Sequence, residues 1–192
     1  MMMMAALLLA AALGAEAGEW NFAVTLDDRP IGTHRFLVTG SPEARSVDSR
    51  AQFKVSVLGI PFYRYAHHAE EHWQGDCLRE LQSDTDDDGK PQQVNQRYEA
   101  GCLMAFAYWN PRLVQQKQLV DPQTGRTEAV RFERLPDARI EVEGKPVAAQ
   151  GWRLLAEKQD LTLWYATEGG RWIALDAKVK GGRRLSYRLA AP

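Results

Sequence analysis

The chain has 192 residues, a length that suits one domain, with 45% hydrophobic and 26% charged residues, enough for a sizeable core. Its 24 Lys and Arg balance 25 Asp and Glu almost evenly, so the strong basic excess of a nucleic-acid binder is missing.

The chain starts with four methionines and an apolar run over residues 5–13, followed by small residues. The run is too short to span a bilayer, which takes about 20 apolar residues. Ala15-Glu16-Ala17 fits the small-x-small cleavage pattern, so residues 1–17 read as a signal peptide cut after Ala17, although no Lys or Arg precedes the apolar run. Residues 18–192 then form a single secreted domain with no transmembrane segment. No Cys stands at the cleavage point, which argues against a lipid anchor. Cys77 and Cys102 are the only cysteines. In an oxidising compartment an even count permits a disulfide; two separate buried thiols are the other reading.

The elements follow in order. Residues 19–26 alternate, with Trp20, Phe22, Val24 and Leu26 on one face, as in a half-buried strand. Asp27-Asp28-Arg29-Pro30 turns the chain, and residues 31–38 return with His34, Phe36 and Val38 on one face. After a break at Gly40-Ser41-Pro42, Val47, Ser49, Ala51, Phe53, Val55 and Val57 line one side of a long strand whose other side is polar throughout. Residues 58–61 interrupt it. Asp86-Asp87-Asp88-Gly89 closes a hairpin, since Asp-Gly suits positive φ. Residues 92–98 come back, Gly101 turns, and residues 102–109 are apolar. Asn110-Pro111 pairs an N-cap with a first-turn proline and predicts one short helix over residues 111–118. Further short strands follow to the end, separated by turns at residues 121–125, Gly144-Lys145, Gly169-Gly170 and Gly181-Gly182. The fold class is mainly β: an antiparallel meander forming a curved barrel or half-barrel with one short helix against it, or alternatively a two-sheet sandwich.

A set of residues in this order resembles a known family. They are Trp20; Asp28 with Ile31-Gly32 and His34; Tyr63-Arg64-Tyr65 with His67; Glu71 and Trp73; Leu78; and the turn at residues 85–89. Tyr108-Trp109-Asn110-Pro111, Pro122-Gln123-Thr124-Gly125 and Trp164-Tyr165 complete the set. Together they are similar to DUF6134, a family of secreted bacterial proteins of unknown function, and more distantly to DUF3108. The resemblance implies a secreted, β-rich domain without an established activity. The distant relatives are similar in shape to lipoprotein-carrier half-barrels, which implies a lipid-like ligand. It supplies no catalytic residues.

The stretch over residues 61–89 holds three of the four histidines and a dense set of aromatics. Alternate side chains of a strand share a face, which splits it in two. Tyr63, Tyr65, His67, Glu71 and Trp73 form the aromatic set and are assigned to the interior. Arg64, His68, Glu70 and His72 are assigned to solvent. His68, Glu70 and His72 form a strand-borne H-x-E-x-H, but the outer two are separated by about 13 Å of strand rise, too far for one ion. They read as a solvated face, and no metal or other cofactor is expected. Tyr65, His67, Glu71, Trp73 and His34 are the candidate ligand-binding residues, with His67 or an Arg as the partner a buried Glu71 needs.

Other motifs carry less. The Asp-rich turn lacks the glutamate a calcium loop requires at its twelfth position, which here is Arg97. No G-x-S-x-G, phosphate loop or dinucleotide fingerprint is present. The arginines of residues 183–188 read as the polar side of the last strand, not as a nucleic-acid surface. The leading functional expectation is a non-catalytic periplasmic domain that binds or carries an apolar, lipid-like molecule. A hydrolase using His67 and Glu71, or an interaction module for envelope proteins, are the alternatives.

Overall fold

The computed structural model describes residues 17–58 and 60–190. Residues 1–16, which hold most of the expected signal peptide, lie outside the described residues.

The alternating segments form strands, and the tight turns make consecutive strands antiparallel neighbours. A first meander comprises β1 (Gly18–Leu26), β2 (Arg29–Ser41), β3 (Ala44–Val57), β4 (Ile60–Gln74), β5 (Cys77–Asp87) and β6 (Lys90–Arg97). An insert follows, with β7 (Met104–Ala105), a 3-10 helix (Pro111–Gln115), β8 (Gln118–Val120) and β9 (Thr127–Ala129). The second meander is β10 (Arg131–Arg134), β11 (Ala138–Val142), β12 (Lys145–Leu155), β13 (Asp160–Ala166), β14 (Trp172–Val179) and β15 (Arg183–Ala190). Among the described residues five turns place two successive residues at positive φ: Asp27 and Asp28, Asp88 and Gly89, Glu143 and Gly144, Gly169 and Gly170, and Gly181 and Gly182. Backbone of that hand matches the twist of the flanking strands, which is why Asp and Gly recur there.

The two meanders join through their outer strands, because β1 pairs with both β2 and β15. The Asp27 carboxylate fixes that junction by accepting from the Arg184 backbone N–H at 2.8 Å and from Arg183 Nε at 2.7 Å. The result is one antiparallel sheet in the order β10-β12-β13-β14-β15-β1-β2-β3-β4-β5-β6, with β11 also on β12. Among the described residues no pairing links β6 back to β10, so the sheet is open. Leu81 on β5 and Leu163 on β13 nonetheless share one apolar core, which requires the sheet to curl. The concave side is apolar and the convex side polar: on β3, Val47, Ser49 and Ala51 are buried, whereas Arg50, Gln52 and Lys54, of the opposite parity, face water.

The insert packs into one end of this half-barrel. Trp109 meets Trp73 edge-on at 5.6 Å, and Tyr108 meets Trp172 at 5.3 Å. Tyr165 donates to the Tyr108 carbonyl at 2.9 Å, and Ser83 donates to the Pro122 carbonyl at 2.6 Å. Cys77 and Cys102 form a disulfide that ties the start of the insert to β5, their Cα atoms 4.7 Å apart. Arg45, buried at the same end on the inner face of β3, donates to the Gly75 carbonyl at 2.8 Å and lies over the Trp109 ring.

The predicted helix over residues 111–118 is shorter and tighter than expected. Asn110 does cap it, accepting from the Arg112 backbone N–H at 3.0 Å, but the turn is 3-10 and ends at Gln115. Leu113 is its one fully buried residue, and Lys117 and Gln118 offer no apolar partner to extend the stripe. The chain turns extended at Gln116, and β8 pairs instead with β7 and β9.

Candidate functional site

Register across β2 to β5 arranges interior side chains in rows. His34, Ala51, His67 and Thr85 form one row. Phe36, Ser49, Ala69 and Ser83 form the next, and Val38, Val47, Glu71 and Leu81 the third. The middle strands thus carry small side chains at Ser49, Ala51 and Ala69, where a filled core would carry large ones. Missing volume at those positions hollows the concave face.

Two adjoining cavities result. The outer one is a cleft of about 670 Å³ at the end of the half-barrel away from the insert. Its walls are mainly apolar and aromatic, including Leu26, Ile31, Phe53, Val55, Leu185 and Tyr187. At its mouth stands the β3–β4 connection, where Leu58, Ile60 and Phe62 are 97%, 71% and 76% exposed. The inner cavity, about 180 Å³, lies between the sheet and the insert. Its polar lining comes from His34, Ser49, His67 and Glu71 of the sheet and from Asp121 and Gln123 of the insert. His34, Tyr65 and Tyr187 line both cavities and mark the passage between them.

The two histidines, Tyr65 and Glu71 each have a defined partner. His34 Nε2 lies 2.9 Å from Ser49 Oγ, and His67 Nδ1 lies 2.8 Å from Thr85 Oγ1. Tyr65 donates to Gln123 Oε1 at 3.1 Å. Glu71, 5% exposed, accepts from the Trp73 indole N–H at 2.8 Å. Burial pushes the Glu71 carboxyl up to about 7, a rise the Trp73 hydrogen bond partly offsets. Burial also pushes both histidines down, His34 to about 3 with His67 beside it, and His67 to about 4 against the pull of Asp121. Both rings are therefore neutral at pH 7. The phenols of Tyr65 and Tyr187 are raised by burial and stay protonated.

Of the residues singled out from sequence, His34, Tyr65, His67 and Glu71 line the cavities. Trp73 stands behind them, packed on Trp109 and holding the Glu71 carboxylate. The partner of Glu71 is thus the indole, neither His67 nor an Arg. His67 and Glu71 have separate partners, and no hydrogen bond joins them among the described residues. A Ser–His pair does occur at Ser49 and His34, but Nδ1 of His34 has no hydrogen-bond partner among the described residues, so no carboxylate orients the ring as an activated serine requires. The solvent set lies outside as the alternation indicates. His68 bonds Asp48 at 3.0 Å, and His72 bonds Ser46 at 3.1 Å. Asp48, His68 and Glu70 have ligand-type atoms within 4.8 Å of one another, but Arg50 already takes both Asp48 oxygens. Asp86 accepts from the Gly89 N–H at 2.6 Å, a turn contact.

Sequence reasoning passed over Ser49, Tyr187, Asp121 and Gln123. The first two sit in alternations already read as strands, and small residues on the inner face of β3 were the available signal. Asp121 and Gln123 carry no such signal, because only packing of the insert brings them to the sheet.

Among the described residues, no helix is long and apolar enough to cross a membrane. No curated protein matches the chain in sequence. The model of a domain of unknown function, DUF6134, matches residues 22–190, nearly all of the sheet and the whole insert, and the chain belongs to that family.

Proposed function

We propose that the protein is a non-catalytic binding or carrier domain of the bacterial envelope that holds an apolar, lipid-like molecule in the outer cleft. The observation that carries this reading is the cleft itself: about 670 Å³, lined mainly by apolar and aromatic side chains, and open at the mouth of the half-barrel. Pockets for small apolar ligands run from about 300 to 1,000 Å³ with such walls. The exposed side chains of Leu58, Ile60 and Phe62 offer an arriving apolar chain a contact before it enters. The apolar run over residues 5–13, the Ala15-Glu16-Ala17 pattern and the Cys77–Cys102 bridge support an oxidising, extracytoplasmic location.

The test is binding of the apolar fluorophore N-phenyl-1-naphthylamine, with native mass spectrometry of gently extracted protein for a co-purifying lipid. Val55→Trp, which fills the cleft from β3, is expected to weaken fluorophore binding at least about tenfold with the fold intact. Leu185→Trp, which fills it from β15, is expected to do the same. A wild-type protein that neither binds the fluorophore nor carries lipid overturns the reading.

A further inference from the structure

The inner cavity says which end of the ligand enters first. We infer that the apolar molecule enters the cleft polar end first and that this end is an uncharged hydrogen-bonding group, as on a long-chain alcohol or a monoacylglycerol. This rests on the cleft being a binding site for an apolar chain.

The two cavities differ in chemistry along one path. The outer walls are greasy, and beyond His34, Tyr65 and Tyr187 the polar share of the lining rises, with Ser49, His67, Glu71, Asp121 and Gln123 set among apolar side chains such as Phe36 and Phe106. An inner volume of about 180 Å³ equals about six water molecules at the liquid density, room for a hydroxyl or a small glyceryl group. A hydrocarbon end placed there would strip water from these polar groups and return no hydrogen bonds. A polar end can replace that water.

Charge then narrows the class. Among the described residues no Lys or Arg lines the inner cavity, while two acidic side chains do. Neither histidine supplies a positive charge, because burial keeps both neutral. A carboxylate or phosphate would sit there desolvated, beside like charge and with no counterion. An ammonium fares little better. The Asp121 carboxylate is already held by the Gln123 backbone N–H and the Thr124 hydroxyl, each at 2.8 Å. The Glu71 site disfavours its own ionised form. A hydroxyl avoids both costs, and it can donate and accept among Ser49, His67 and Gln123. Among the described residues the one cation lining the outer cleft, Arg183, is held by Asp27 at 2.7 Å.

The test is displacement of bound N-phenyl-1-naphthylamine from the wild-type protein at about pH 6, below the value of about 7 to which burial raises Glu71. The competitors are an alcohol, a carboxylate and an amine that share one alkyl chain. The alcohol is expected to act at concentrations at least about tenfold below those of the other two. Ser49→Val, which removes a hydroxyl from the inner lining, is expected to shrink that preference, read as the ratio of the alcohol to the carboxylate concentration that displaces the fluorophore. Equal displacement by all three means tail-first entry, with the head left in water where every head is tolerated, and overturns the inference while the cleft reading stands. Preference for the carboxylate or the amine overturns it as well. Absence of fluorophore binding removes the cleft reading and this inference with it.

Discussion

Replacing Glu71 by Gln isolates the cost of the buried carboxyl group. Glu71 is 5% exposed, and one of its oxygens accepts from the Trp73 indole at 2.8 Å. Gln keeps the size and offers a carbonyl oxygen to the same indole, but it cannot ionise. Burial raises the carboxyl from 4.5 to about 7 in the folded protein. Below about pH 4.5 the folded and unfolded forms both keep the proton, so wild type and variant differ little in their pH response. As pH rises through that range the unfolded chain releases its proton and the folded chain does not. Stability is lost, reaching about 3 kcal/mol near pH 7 and holding there above it. His34 and His67 act in the other direction: their depressed values make stability fall as pH drops below about 6.5. Both histidines are present in both proteins and cancel from the difference. Urea unfolding of wild type and Glu71→Gln at about pH 4.5 and about pH 8 gives the quantity needed. The variant should gain about 3 kcal/mol on wild type between the two pH values. A gain under about 1 kcal/mol refutes a carboxyl group that burial keeps protonated to neutrality.

Other consequences are as direct. The Cys77–Cys102 bridge spans a sequence separation of 25 residues, a loop for which chain entropy gives about 3.5 kcal/mol. Cys77→Ala with Cys102→Ala should lower unfolding free energy by about that amount, and two free thiols in the native protein would contradict the bridge itself. Gly32 has φ 153°, and a Cβ there would stand 1.8 Å from the Gln52 carbonyl oxygen. Gly32→Ala should therefore cost at least about 3 kcal/mol or abolish folding. Gly75, at φ 61° with open space around a Cβ, should cost only about 1 kcal/mol on the same change. Thermal melts of the two variants compare them, and equal losses would show that the close approach of β2 to β3 is not rigid.

The strands were legible because their signal is local. The pleat sends successive side chains to opposite faces, so residues 47–57 and 61–73 announce an inner and an outer side without reference to the rest of the chain. The same rule separated Glu71 and Trp73 from Glu70 and His72. The hairpins at Asp27-Asp28 and Asp88-Gly89 were legible because positive φ selects its residues. The helix over residues 111–118 misled because its N-cap signal says where a helix starts and not how far it runs. The insert decided that, by drawing residues 118–120 into a strand.

By itself, then, the sequence determined a β meander with a sorted pair of faces, a pair of cysteines able to bridge, and membership in a family shaped by that order of residues. Only the tertiary structure decided that β1 closes on β15, that the insert fills one end of the half-barrel and leaves the other open, and that His34, Ser49, His67 and Glu71 surround one hollow. The reason is physical. Alternation is a property of one strand, whereas a cavity is volume that side chains from several strands and a distant loop fail to fill, and its polar lining follows from whichever groups that failure leaves facing one another.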